Sequence, residues 1–133
     1  MSTEENKNVV RRWNEGLWDE NVSVDTFDEL LHPDYANRSM DNPPWSIGVQ
    51  GVQAVKEEAL RGRKDLATLE NRIEDIIAEG DRVAVRITAI LHGKPIARVM
   101  AFYRMEEGKI IDDWFTWIDI PEKAVEPAPE KAG

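Results

Sequence analysis

Residues 108–119, GKIIDDWFTWID, set two adjacent carboxylates, Asp112 and Asp113, against Trp114, Phe115 and Trp117. A carboxyl packed among aromatic rings loses hydration. That loss disfavours its charged form and raises its pKa. A carboxyl tuned in this way can take up or release a proton near neutral pH. Neighbouring side chains on a strand leave by opposite faces, so Asp112 and Asp113 cannot act as a dyad in one pocket. Asp113, Phe115, Trp117 and Asp119 share one face; Asp112, Trp114, Thr116 and Ile118 share the other.

The elements that must position these groups follow from periodicity. Ser2 and Glu5 stand three apart, as a capping box requires, and Val9, Val10, Trp13 and Leu17 then recur at helical spacing. The segment SVDTFDELLHPDY predicts a second short helix with Ser23 or Asp25 as its cap, Phe27, Leu30 and Leu31 inward, and Pro33 as its stop. At that stop His32 would complement the helix dipole. NRSMDNPPWSIG is loop by composition. A third helix, GVQAVKEEALRGRKDL, carries Val52, Val55 and Ala59 on one side.

From Thr68 onward the period changes to that of strands, broken by the turn segments EGD, HGKP and EEGK. Four strands so joined form an antiparallel meander. In the second of them Val83, Val85, Ile87, Ala89 and Leu91 share a face. In the third, Ala97, Val99, Ala101 and Tyr103 oppose Ile96, Arg98, Met100, Phe102 and Arg104. Both faces carry apolar residues, so both should be covered, the outer one by a second copy of the chain in a homodimer. The architecture expected is α+β: three N-terminal helices packed on a curved, mostly antiparallel sheet, enclosing a cone whose mouth is a small-molecule pocket. The domain should span 1–120, with 121–133 a mobile Pro-, Glu- and Ala-rich tail.

Composition narrows the partners. The chain has 133 residues, a formal net charge of −9 and no cysteine. One core suits that length. The acidic balance argues against nucleic-acid binding. No apolar run approaches membrane-spanning length, no basic-then-apolar leader opens the chain, and a cytoplasmic location is expected. Two histidines and no thiol leave no metal cluster, and no glycine loop cradles a phosphate, so no metal and no cofactor are expected.

The ordered segments NVVRRWNEGLW, LLHPDYAN, AEGDRVAVRI and FYRMEEGKIIDDW resemble the SnoaL-like polyketide cyclases, within the nuclear-transport-factor-2-like superfamily that also holds ketosteroid isomerases and limonene epoxide hydrolases. The resemblance covers roughly residues 5 to 120 and implies the cone fold. It implies that Asn37, the asparagine of HPDYAN, lies near the substrate. The position of the cyclases' pocket histidine falls on Ala101, and that of their general-base aspartate on Phe115. Two of three chemistry-bearing positions are thus apolar here.

If the face of Phe115 is the pocket face, Asp113 is the carboxylate that reaches the cone, one strand period from the usual base. The competing reading puts Asp113 at the rim, paired with Arg98 or Arg86. Trp13, Trp18, Tyr35, Trp45, Phe115 and Trp117 are candidates for an aromatic wall, with Ala101 and Tyr103 beside them; Trp13 also fits plain core. Tyr35 and Asn37 alternate toward one side after Pro33, and Asn37 could orient a carbonyl or water, or merely bond its own turn. The function expected is cofactor-independent acid–base chemistry (isomerisation, cyclisation, dehydration or epoxide opening) on a small apolar, cyclic substrate. The alternatives are a binder of small hydrophobic ligands that has lost the His/Asp pair, and an interaction module that uses the sheet face.

Overall fold

The computed structural model describes residues 2–39, 50–66 and 68–121. Trp45 and the tail from 122 onward, both singled out from the sequence, lie outside the described residues. The elements are α1 (Thr3–Gly16), a 3₁₀ turn (Val24–Thr26), α2 (Phe27–Leu30), β1 (Leu31–Asn37), α3 (Val52–Leu66), β2 (Glu70–Glu79), β3 (Arg82–Leu91), β4 (Lys94–Glu106) and β5 (Lys109–Asp119). The five strands form one sheet in the order β1-β5-β4-β3-β2. The β2 to β5 meander is antiparallel, and β1 adds to it parallel to β5.

Helix α1 begins as its sequence dictates. Ser2 Oγ accepts from the Glu5 N–H at 3.1 Å, and Glu5 Oε1 accepts from the Ser2 N–H at 3.4 Å. Ser23 Oγ likewise accepts from the Asp25 N–H. The second helix is shorter than expected. It ends at Leu30, and Leu31 to Asn37 are a strand rather than helix and loop. The reason is Pro33. It has no N–H to give, and it forces His32 toward extended backbone. On an edge strand the missing donor costs nothing, and β1 is an edge. His32 therefore caps no helix; its Nδ1 accepts from the Asp34 N–H at 3.0 Å.

The last hairpin turns at Glu107–Gly108, where both residues have positive φ (53° and 77°). That is the two-residue turn whose twist matches paired strands. Register breaks in β2, β3 and β4 (at Ile73/Asp75, Ala89/Ile90 and Arg104/Met105) bend the sheet. The helices cover its inner face. Val10, Phe27, Leu31, Val83, Ile87 and Ile110 are fully buried between the layers, and each such side chain contributes about 1.5–3 kcal/mol of burial. The outer face leaves Met100, Phe102, Trp114 and Ile118 exposed.

Candidate functional site

Successive β4–β5 pairs line the inside of the sheet in layers. Val99 pairs with Trp117, Ala101 with Phe115, and Tyr103 with Asp113. The two positions where the SnoaL-like resemblance places a histidine and an aspartate therefore face each other across one rung, filled by Ala101 and Phe115. The polar rung lies two residues further along each strand, at Tyr103 and Asp113. Asp113 thus stands one strand period from the Ala101–Phe115 rung.

Asp113 is 5% exposed. Its Oδ2 accepts from the Tyr35 hydroxyl at 2.7 Å, and its Oδ1 is buried with no hydrogen-bond partner among the described residues. Burial pushes its pKa up to about 7, against a smaller downward pull from the Tyr35 hydrogen bond. Burial, and then the nearby Asp113 charge, in turn hold both tyrosines well above the usual phenol range. Among the described residues no arginine side chain pairs with the Asp113 carboxyl, contrary to the rim reading. Arg86 pairs with Asp75 instead.

Asp112, on the other face, behaves as the opposite case. Burial alone would raise its pKa. The hydrogen bonds and charges of Arg38 (2.8 Å) and Arg104 (2.7 Å) outweigh that and hold it below the usual carboxylate range. Two neighbours in sequence thus have opposite titrations, because the pleat gives them different surroundings.

The end of β1 is fastened beside Asp113. The Arg38 N–H donates to the Asp113 carbonyl at 2.7 Å, and the Phe115 N–H donates to Ser39 Oγ at 2.6 Å. Asn37 Oδ1 accepts from the Ser39 N–H at 2.9 Å. The turn role considered for Asn37 is therefore real, and it coexists with a place on the cavity wall. Because that backbone donor fixes the orientation of the amide, its Nδ2 is the group available as a donor to a ligand.

The cavity so enclosed measures ≈ 110 Å³. A water needs roughly 10–15 Å³ on this measure, so the space admits a small organic molecule. Trp13 of α1, Trp18 just after it, and Tyr35 and Asn37 of β1 line it on one side. Ala101, Tyr103, Asp113, Phe115 and Trp117 line it from the sheet. The structure thus brings together every predicted site residue among those it describes. Trp13 is both wall and core: it also packs edge-on against Phe27, with ring centroids 4.9 Å apart. The Trp117 Nε1–H is held by Asp119 Oδ1 at 2.6 Å.

Sequence reasoning missed three polar lining residues, Asn14, Glu58 and Asn71. Asn14 Nδ2 donates to the Val10 carbonyl (2.9 Å) and to Tyr103 Oη (3.1 Å), which holds the second tyrosine in place. The signal was available. Asn14 stands four residues after Val10, on the apolar stripe itself, where a polar side chain needs a partner. Glu58 and Asn71 sit on amphipathic elements without such a mark.

The wall near Trp18 depends on a missing side chain. A Cβ on Gly62 of α3 would overlap the Trp18 ring. Gly62→Ala is expected to displace the indole and cost about 1–3 kcal/mol, as overpacking does. Near-ultraviolet circular dichroism and urea unfolding would show it; an unchanged Trp signal at unchanged stability would contradict the packing described.

Among the described residues no cluster of three or more His, Asp or Glu is placed to hold a metal ion, and no helix is long and apolar enough to cross a membrane. The folds of solved proteins agree with this architecture. A candidate polyketide cyclase from Acidithiobacillus ferrooxidans superposes with a TM-score of 0.72 at 18% identity, over 94% of each chain. A candidate isomerase of the SnoaL-like family from Agrobacterium tumefaciens gives 0.71 at 10% identity, over 86% of this chain and 97% of that one. Wild-type IdmH from Streptomyces antibioticus gives 0.67 at 17% identity, over 84% and 91%. At these identities the likeness is one of fold. No curated protein sequence matches the chain. The model of the SnoaL-like domain matches residues 10–112, most of the folded unit, and the chain belongs to the SnoaL-like family.

Proposed function

We propose that the chain is a cofactor-independent enzyme that moves a proton on a small, neutral, cyclic substrate, with Asp113 as the acid–base group. The reaction would be an isomerisation, cyclisation, dehydration or epoxide opening. The observation that carries this is a buried carboxyl on the cavity wall, its pKa pushed up to about 7 by burial, with one oxygen held by Tyr35 and the other without a partner among the described residues. A group half-protonated at neutral pH can serve as base or acid without a large penalty either way. Tyr35 fixes its orientation. Asn37 and the Asn14–Tyr103 pair supply neutral polar contacts for a carbonyl or hydroxyl. Phe115, Trp117 and Trp13 exclude water, which strengthens each of those contacts.

Deuterium uptake by small cyclic ketones, followed by NMR, tests the reading. The wild type should catalyse exchange with an inflection near pH 7, and Asp113→Asn should abolish it while remaining folded. A variant that retains exchange would rule Asp113 out as the acid–base group. A wild type that binds such ketones without exchange would favour the binding-protein alternative, for which the apolar Ala101–Phe115 rung is the supporting feature.

A homodimer through the outer sheet face belongs to the same proposal. Phe102 and Trp114 are cross-strand partners with ring centroids 5.9 Å apart, and they stand exposed between Met100 and Ile118. A second copy would cover them. Phe102→Glu with Trp114→Glu should convert a dimer to a monomer in sedimentation; a wild type that sediments as a monomer at micromolar concentration overturns this part.

A further inference from the structure

The cavity holds more than an acid–base group needs. Among the described residues, six aromatic side chains surround it (Trp13, Trp18, Tyr35, Tyr103, Phe115 and Trp117). Among the described residues two carboxylates, Asp113 and Glu58, line it, and no lysine, arginine or histidine does. Aromatic faces carry negative potential and attract cations, most strongly where water is excluded. The chain as a whole is at −9, which draws cations toward any opening. Glu58 is paired with Arg61 on its own helix, so its charge is largely answered. Asp113 Oδ1 is not: it is buried, on the cavity wall, with no donor and no counter-ion among the described residues.

We propose that this cavity binds a small organic cation, a protonated amine or quaternary ammonium carried on an apolar ring, between aromatic faces and with its charge against Oδ1 of Asp113. The proposal goes beyond the proton-transfer reading in the class of ligand and rests on it only in placing Asp113 on the wall. A cation there would compete with a neutral substrate. The titratable groups against Asp113 are Tyr35 from β1 and Tyr103 from β4, both held above the usual phenol range; Glu58 of α3, paired with Arg61, lines the same cavity. Asp113 is then the group whose ionisation sets cation affinity near neutral pH.

Two probes of the same shape isolate the charge: trimethylanilinium, permanently cationic, and tert-butylbenzene, its neutral isostere. Binding of each to the wild-type protein is followed by NMR titration at pH 6 and pH 8. With an ionisation near 7, the charged fraction of Asp113 rises about tenfold between those values, so trimethylanilinium affinity should rise about tenfold and tert-butylbenzene affinity should stay flat. Asp113→Asn should erase the rise. Equal affinity of the two probes at pH 8, or a trimethylanilinium affinity that does not change with pH, overturns the proposal. Either result leaves the deuterium-exchange test untouched, because binding and not turnover is read.

Discussion

Asp113→Asn is expected to stabilise the fold at pH 8 while removing its chemistry. The native carboxyl titrates near 7, against 3.8 for an unperturbed aspartate. Between about pH 4 and pH 7 the native state therefore keeps a proton that the unfolded chain has released. Wherever the native state binds more protons, stability falls as pH rises. It should fall across that window and level off above it. About three pKa units correspond to at most on the order of 4 kcal/mol. An amide in the same place accepts the Tyr35 hydroxyl without a charge to bury. The variant should exceed the wild type by about 2–4 kcal/mol at pH 8, and the gain should vanish toward pH 4. Urea unfolding of both proteins across pH checks this. Asp112, whose own stabilising contribution appears only above its lowered pKa, is common to both and cancels in the difference. A variant less stable than the wild type at pH 8 would mean that Asp113 is ionised and well solvated, and the site as described would be wrong.

Arg63→Ala is expected to carry the largest loss of stability. Arg63 lies in α3 and is 8% exposed. Its guanidinium donates to three backbone carbonyls: Nε to Leu17 (3.1 Å), and the two terminal nitrogens to Val22 (2.7 Å) and Gly16 (2.9 Å). These carbonyls belong to the end of α1 and the turn after it, where a helix leaves acceptors unpaired. Phe27 packs beneath the guanidinium, 5.8 Å from ring centroid to Cζ. Burial lowers the pKa of Arg63, partly offset by Asp19 and Glu20, and guanidinium remains charged in any case. Truncation removes three charge-assisted bonds and strands their acceptors, a loss of about 3–5 kcal/mol. Lysine cannot fork to three carbonyls, so Arg63→Lys should recover little. The functional consequence is local. The end of α1 and the residues just after it present Trp13, Asn14, Leu17 and Trp18 to the cavity. A loss below 1 kcal/mol in urea unfolding would show that α1 is held by its apolar stripe alone.

The meander and the first helix were legible because their signals are local. Ser2 with Glu5, the glycine turns and the alternation of β3 and β4 each act within a few residues. The face of β5 was legible once a pocket side was assigned, since alternation then places 113, 115 and 117 together. β1 was not. LLHPDYAN reads as the close of a helix because Pro33 is a helix stop, and only the sheet edge beside β5 makes proline acceptable in a strand. Arg63 was hidden for a similar reason. In KEEALRGRKD it is one cation of a polar run, and nothing in that run shows that three carbonyls of another helix converge on it. The pairing of Tyr35 with Asp113 spans 78 residues and depends on the parallel β1–β5 register, which no short-range pattern encodes.

The central claim is that one buried carboxyl in an aromatic cavity titrates near neutral pH. Carbon-13 NMR of the aspartate carboxyls, with Asp113 assigned by its loss in Asp113→Asn, measures this directly in the intact protein. The account predicts one aspartate with a midpoint near 7, whose midpoint rises further in Tyr35→Phe because the Tyr35 hydrogen bond favours the charged form. An Asp113 midpoint near 4 would contradict it.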